Sequence, residues 1–275
     1  MEMKKGSAVL YVILLLLASN CTAVKNSRIA TRKATQTLAG GKLFTAVWMQ
    51  QSAEYKALCL QAFSLADFRL QQILSHQRPQ KPWAIITDID ETFLDNSPYA
   101  IHQALRGQDF DPATWDDWVS KAEADSIAGS LRFFKKAASQ GVTIFYVTNR
   151  NQKGRAATLR NLQKFGYPNA DSTHLMTMGE QSSKEQRRQL IAKDYTIALL
   201  LGDNLTDFSG LFDNHPNASE RSEAVTTLKE SFGRKFILLP NPNYGDWENA
   251  IYRYQHAMTP EQKVEALKKA GKTYP

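Results

Sequence analysis

Cysteine is nearly absent: Cys21 and Cys59 are the two in 275 residues. They supply no disulfide framework, and no intramolecular bridge at all if Cys21 is modified. Cys59 lies inside an apolar helical pattern and reads as a small buried hydrophobe, so stability has to come from a core. Long apolar runs are missing too. The run from Ala8 to Ala18 falls short of the ~20 apolar residues that a membrane-spanning helix needs. Histidine is sparse, and His102, His174 and His215 are dispersed without ligand spacing, which leaves haem binding without support. The formal charge is +7 and the pI about 9.3, yet no basic run is interleaved with aromatics. A nucleic-acid polymer is therefore not expected as a partner, and a weak general attraction for anionic ligands is what the charge supplies. Internal repeats and low-complexity tracts are absent. The apolar fraction, 43%, is ordinary for a globular protein, and the length suits one α/β domain with a smaller appendage.

What is present begins with a leader. Lys4 and Lys5 precede the short apolar run, and small and polar residues follow around Cys21, the pattern of a secretory signal. Leu17-Ala18-Ser19-Asn20-Cys21 resembles a bacterial lipoprotein cleavage site, after which Cys21 would be the lipidated first residue. Cleavage after Ala23, giving an unanchored exported protein, is the alternative. The expected organisation is a leader over 1–20 and a flexible tether over 21–41, polar and closed by Gly40-Gly41. N-terminal helices follow over 42–82, then an α/β core from 83–96 and 126–255. A helical cap insertion occupies 97–125, and a C-terminal helix or tail 256–275.

Within the core, apolar strands alternate with helical patterns. Strands are expected at Trp83–Ile86, Val142–Val147, His174–Met178, Thr196–Leu201 and Lys235–Leu239. Helices are expected at Ile127–Ser139, Ala156–Phe165, Ser183–Ala192 and Ala224–Phe232. That alternation predicts an α/β fold with a central parallel sheet flanked by helices, plus a smaller helical cap. In the cap, Trp115 and Trp118 stand three apart on one helix face, where core packing is the expectation.

Polar residues gather just after three of these strands: Asp88 and Asp90, Thr148 and Asn149, Asp203 and Asp207. Ligands of open α/β sheets bind outside the carboxyl ends of the strands, where strand order reverses. Four carboxylates converging there need a divalent cation, and hard oxygen ligands suit Mg²⁺. Asp88 reads as nucleophile and metal ligand, and Asp90 as proton donor; a solvated turn is the plain alternative for this pair, and a helix-capping turn for Asp203 and Asp207. Lys184 opens a helix after the third strand, a suitable phosphate site.

The residues from Ile85-Ile86-Thr87-Asp88-Ile89-Asp90-Glu91-Thr92 to Asn96-Ser97-Pro98-Tyr99 resemble the first signature of the haloacid dehalogenase (HAD) superfamily. Within it, the likeness is to the class C acid phosphatases of the lipoprotein e(P4) type, bacterial envelope proteins also described as 5′-nucleotidases. Gly202-Asp203-Asn204-Leu205-Thr206-Asp207-Phe208 resembles the second signature. Thr148-Asn149-Arg150, Ser183-Lys184 with Arg187, and Asn243-Tyr244-Gly245-Asp246-Trp247-Glu248 also fit. The likeness runs from about Lys42 to Tyr252. Phe93 departs where Met or Val is usual, and Glu180-Gln181 where Asp-Lys is common.

The resemblance implies roles. Asp88 attacks phosphorus and becomes an aspartyl phosphate. Asp90 protonates the leaving alcohol, then takes a proton from the hydrolytic water. Mg²⁺ is held by the Asp88 carboxylate, the Asp90 backbone carbonyl and Asp203, with Asp207 orienting a water on it. Thr148, the Asn149 amide and Lys184 bind phosphoryl oxygens, and Thr92 caps the turn after Asp90. Tyr244 stacks on a nucleobase or an aryl group, with core packing as its other reading. The implied substrates are phosphomonoesters, nucleoside monophosphates included. The implied site of action is the periplasm or outer membrane, through a lipid anchor; the oligomeric state stays open. An acidic optimum is expected, with activity falling as Asp90 loses its proton. A phosphotransferase or phosphomutase, and a non-enzymatic ligand-binding surface lipoprotein, are the alternatives.

Overall fold

A computed structural model of the chain describes residues 5–180, 182–255 and 257–274; of residues 5–27 only the course of the backbone is described. The expected leader and the lipidation at Cys21 thus concern side chains outside the described residues. Among the described residues no helix is long and apolar enough to cross a membrane.

The five core strands are β1 (Trp83–Thr87), β4 (Thr143–Val147), β5 (Leu175–Met176), β6 (Thr196–Gly202) and β7 (Phe236–Leu238). They form one parallel sheet in the order β5-β4-β1-β6-β7. Near-continuous apolar runs such as Ala84-Ile85-Ile86 and Leu199-Leu200-Leu201 suit strands covered on both faces. Side chains alternate between two cores. Ile85, Ile144, Tyr146, Leu199 and Leu201 point to one face. They meet Phe63 and Leu70 of α2 (Ala53–His76), and Phe133 and Phe134 of α5 (Ser130–Ser139). Ile86, Phe145, Val147 and Leu200 point to the other. There they meet Ile191 of α7 (Glu185–Asp194) and Phe208. Helix α6 (Arg155–Phe165) connects β4 to β5.

The insertion carries α3 (Ser97–Leu105) and α4 (Pro112–Lys121). Its entry and exit are clipped together by β2 (Leu94–Asp95) and β3 (Asp125–Ser126), an antiparallel pair too short to leave a sequence pattern.

Three expectations need correction. The segment 21–41, expected as a flexible tether, lies within one long helix, α1 (Lys5–Gln51). Gly40 and Gly41 each weaken a helix by about 1 kcal/mol, but tertiary packing overrides that: α1 lies along α3 and along α10 (Pro260–Ala270), with Ala34, Ala46 and Met49 buried. Lys42 pairs with Glu248 at 2.5 Å, and Asn243 Nδ2 donates to Lys42 O at 2.9 Å. The helix expected at Ala224–Phe232 is α8 (Ala218–Thr227), started early by the reciprocal Asn217 and Glu220 cap. The helix expected from Ile127 begins only at Ser130, because Gly129 turns the chain with φ +91°. Helix α9 (Asp246–Ile251) follows β7 and the loop that carries Tyr244.

Candidate active site

From β1 the chain steps to β4 and β5 on one side of the sheet, then returns to β6 and β7 on the other. The reversal falls between β1 and β6. Asp88 is the first residue past β1 and Asp203 the first past β6, and the Asp88 N–H donates to Leu201 O at 2.9 Å. Carboxylate oxygens of Asp88, Asp203 and Asp207 all lie within 4.8 Å of one another. The approach of Asp207 depends on Gly202, where any Cβ would collide with the Asp207 carboxylate.

Lys184, buried at the N-terminal end of α7, answers this negative charge. Its Nζ contacts Asp88 Oδ1 and lies 2.6 Å from Asp207 Oδ1. Asp207 Oδ2 accepts the Asn204 N–H at 3.0 Å, so this residue also caps its own turn. Asn241 Nδ2 donates to Asp203 Oδ2 at 2.8 Å. Thr92, expected to cap a turn, instead puts its hydroxyl 3.2 Å from Asp203 Oδ1 and 3.4 Å from Asp88 Oδ2.

Burial raises the Asp88 carboxyl above the usual range, against the pull of Lys184 and with Asp207 and Asp90 adding to the rise. Burial, then Asp207 and Asp88, raise Asp203 well above it. Burial alone would lower the Lys184 ammonium, but Asp207 and Asp88 outweigh it and hold the group above the usual lysine range. One lysine thus leaves the three carboxylates under-neutralised. A compact set of hard oxygens with excess negative charge fits a divalent cation.

The Asp90 side chain is not in this cluster. It turns to Arg150, whose Nη2 and Nε lie 2.7 and 3.0 Å from Asp90 Oδ1. Arg150 is 2% exposed; burial would lower its guanidinium, but Asp90 outweighs that and raises it. Asn96 Nδ2 adds a third donor to Oδ1 at 2.9 Å. Glu91, in a left-handed conformation with φ +55°, folds back beneath the turn. Its carboxylate accepts the Asn96 N–H at 2.7 Å and the Tyr244 hydroxyl. Burial, followed by the Asp90 charge, pushes the Glu91 carboxyl up to about 8.

These groups open into a cavity of about 670 Å³ lined by Asp88, Asp90, Asn149, Lys184, Asp203 and Tyr244 among others. Tyr99, Phe110 and Trp115 of the insertion add an aromatic wall. Of the phosphate-binding residues expected from sequence, Lys184 and Asn149 reach the cavity. Thr148 does not line it: the residue is fully buried, and its Oγ1 accepts the Arg150 N–H at 3.0 Å. Arg187 holds this turn, donating to Thr148 O and Asn149 Oδ1, both at 2.7 Å. Tyr244 is tethered at its hydroxyl while the residue as a whole stays 38% exposed. Trp118 packs on the core and donates to Asn96 Oδ1 at 2.8 Å, whereas Trp115 faces the cavity.

Sequence reasoning gave no role to Arg150, Glu91, Asn96 or Asn241. Arg150 and Glu91 sit inside the motifs, and a cation just past β4 facing a carboxylate just past β1 was a usable signal. Asn241 left none, since its partner Asp203 is distant in the chain.

Comparison with known proteins agrees with this architecture. The sequence model of the HAD superfamily, subfamily IIIB (acid phosphatase), matches residues 7–247. The solved class C acid phosphatase from Bacillus anthracis is 37% identical, with a TM-score of 0.83 over 86% of this chain and 99% of that one. The same enzyme with tungstate bound is 36% identical, with a TM-score of 0.83 over 87% of this chain and 100% of that one. Among curated proteins, a stem 31 kDa glycoprotein from Glycine max is 30% identical over 165 residues, 58% of each chain. The chain spans little more than half the length of the curated relatives it matches. A family match over most of the sequence and a shared fold over nearly the whole of a solved enzyme lead to one conclusion: the chain belongs to the acid phosphatases of HAD subfamily IIIB, with the class C enzymes as its structural counterparts.

Proposed function

We propose that this protein hydrolyses phosphomonoesters, nucleoside 5′-monophosphates among them, through an aspartyl phosphate on Asp88 with Mg²⁺ as cofactor. The observation that carries the reading is Asp88 itself. It stands at the switch point, shares Lys184 with Asp207, and lies within 4.8 Å of Asp203 through its carboxylate oxygens.

Asp88, Asp203 and Asp207, with the Asp90 backbone carbonyl, would hold the ion. When bound, a divalent cation offsets the carboxylate charge and polarises a phosphoryl oxygen. The chain's own residues do the rest. The Asp88 carboxylate needs no base to become a nucleophile. Lys184 and the Asn149 amide bind the phosphoryl oxygens and hold phosphorus in line with Asp88. As the ester bond breaks, Asp90 gives its proton to the leaving oxygen. It then takes a proton from the water that frees phosphate and restores Asp88. An acidic optimum is what general acid catalysis at the leaving oxygen leads us to expect.

The tungstate-bound relative supports an oxyanion site in this fold. The cavity is much larger than one phosphate, and Tyr244, Tyr99 and Trp115 line it with aromatic surface, which suits a nucleobase or aryl leaving group. The leader and Cys21 favour action at the bacterial envelope, as a lipid-anchored or periplasmic protein. The test is phosphate release from a panel of monoesters, with Mg²⁺ and with EDTA, at several pH values. The reading expects broad release, strongest at acidic pH and abolished by EDTA; release unaffected by EDTA, or confined to one substrate at alkaline pH, would overturn it.

A further inference from the structure

The two oxygens of the Asp90 carboxylate are not equivalent. Oδ1 receives three N–H groups: Arg150 Nη2 at 2.7 Å, Arg150 Nε at 3.0 Å and Asn96 Nδ2 at 2.9 Å. Oδ2 has, among the described residues, one contact, with Arg150 Nε at 3.2 Å. A carboxyl oxygen offers two in-plane lone pairs. Three donors saturate Oδ1 and leave no place on it for a hydrogen.

The donors are themselves fixed. Arg150 Nη1 donates to Thr158 Oγ1 at 3.1 Å, and its Cζ stands 5.8 Å from the centre of the Trp115 ring. Trp118 Nε1 donates to Asn96 Oδ1, which settles the amide orientation and turns Nδ2 toward Asp90.

We infer that Arg150 and Asn96 are positioning residues that clamp Oδ1 of Asp90 and thereby assign Oδ2 as the oxygen that transfers the proton. The inference rests on the phosphatase reading above. In the first half-reaction an Asp88 oxygen bonds to phosphorus and the ester P–O bond breaks. Its electron pair stays on the leaving oxygen, which takes the Oδ2 proton. In the second, water bonds to phosphorus, its proton passes to Oδ2, and the Asp88–phosphorus bond breaks. Both protons cross the same oxygen, and the clamp on Oδ1 stays closed throughout. Without the clamp the carboxyl would rotate, and its proton would be presented in line only part of the time.

The test compares two substrates with and without a need for the proton: ethyl phosphate, whose alkoxide must be protonated, and p-nitrophenyl phosphate, whose phenolate leaves unaided. The readout is the ratio of kcat/KM for the two, which the fraction of folded enzyme does not affect. Arg150→Gln should lose roughly ten-fold or more on ethyl phosphate beyond its loss on p-nitrophenyl phosphate. Arg150→Lys keeps the charge but not the fork, and should show the same bias. Asn96→Ala should show it more weakly, and it decides the matter if neither Arg150 variant folds. Equal losses on both substrates, or full rescue by lysine, would overturn the clamp. Asp90→Asn separates this from the underlying reading. If that variant shows no leaving-group bias, general acid catalysis by Asp90 fails; if it does and the clamp variants do not, only the clamp fails.

Discussion

Replacing Lys184 with methionine keeps most of the side-chain volume and removes the charge. Its Nζ touches Asp88 and Asp207, and the residue is 6% exposed. Taking one partner from a buried ion pair costs about 3–5 kcal/mol, because the remaining charges stay buried and unpaired. For a chain of this size each kcal/mol lowers Tm by about 2–4 °C. In EDTA near pH 8, Lys184→Met should therefore melt roughly 6–20 °C below the unsubstituted protein. At pH 5 the deficit should shrink, since burial already raises the Asp88 carboxyl and a protonated carboxyl has no charge to neutralise. Saturating Mg²⁺ should raise Tm more in the variant than in the parent, because a divalent ion addresses the same carboxylates. Thermal unfolding followed by near-UV circular dichroism reads all of these. A variant within about 2 °C of the parent in EDTA at pH 8, with an equal response to Mg²⁺, would refute the view that Lys184 neutralises this cluster.

Glu91 gives a prediction in the same assay. Its carboxyl is raised by burial to about 8, so the folded protein binds the proton more tightly than the unfolded chain. That contribution to stability is complete below the ordinary glutamate range and is lost as pH rises toward 8. Metal-free protein should thus lose Tm across this window, and Glu91→Gln should flatten the slope; an unchanged slope would contradict the assignment. Gly202→Ala forces a Cβ into the Asp207 carboxylate, and should depress kcat/KM by ten-fold or more while a far-UV spectrum stays native. Tyr244→Ala should raise KM for nucleoside monophosphates more than for small aliphatic phosphates, and equal changes would remove the stacking role.

Much of the sheet was legible because its central strands are covered on both faces. Ala84-Ile85-Ile86 and Leu199-Leu200-Leu201 have no polar alternation and end abruptly in aspartates, so both the strand and the end that carries the site stand out. The helical course of 28–41 was not legible: Gly40-Gly41 reads as a linker, and the contacts of the adjoining Lys42 with Asn243 and Glu248 come from some two hundred residues away. The β2–β3 clip is hidden for a different reason, since two-residue strands carry no period. At the site, the aspartates declared themselves by their place after strands. The groups that aim them did not. Nothing in the chain before folding says that Asn241 meets Asp203, or that Thr148, adjacent to a cavity residue, turns its hydroxyl into the backbone.

The central claim is that Asp88 carries out the displacement beside a divalent cation. The most direct measurement is phosphate release by Asp88→Asn and by the parent, side by side, from one monoester at acidic pH in Mg²⁺ and in EDTA. Asparagine preserves the shape and removes the nucleophilic charge. The account predicts a loss of roughly 10³-fold or more for the variant in Mg²⁺, and a comparable loss for the parent when EDTA strips the ion. Release by Asp88→Asn within a few-fold of the parent would contradict it.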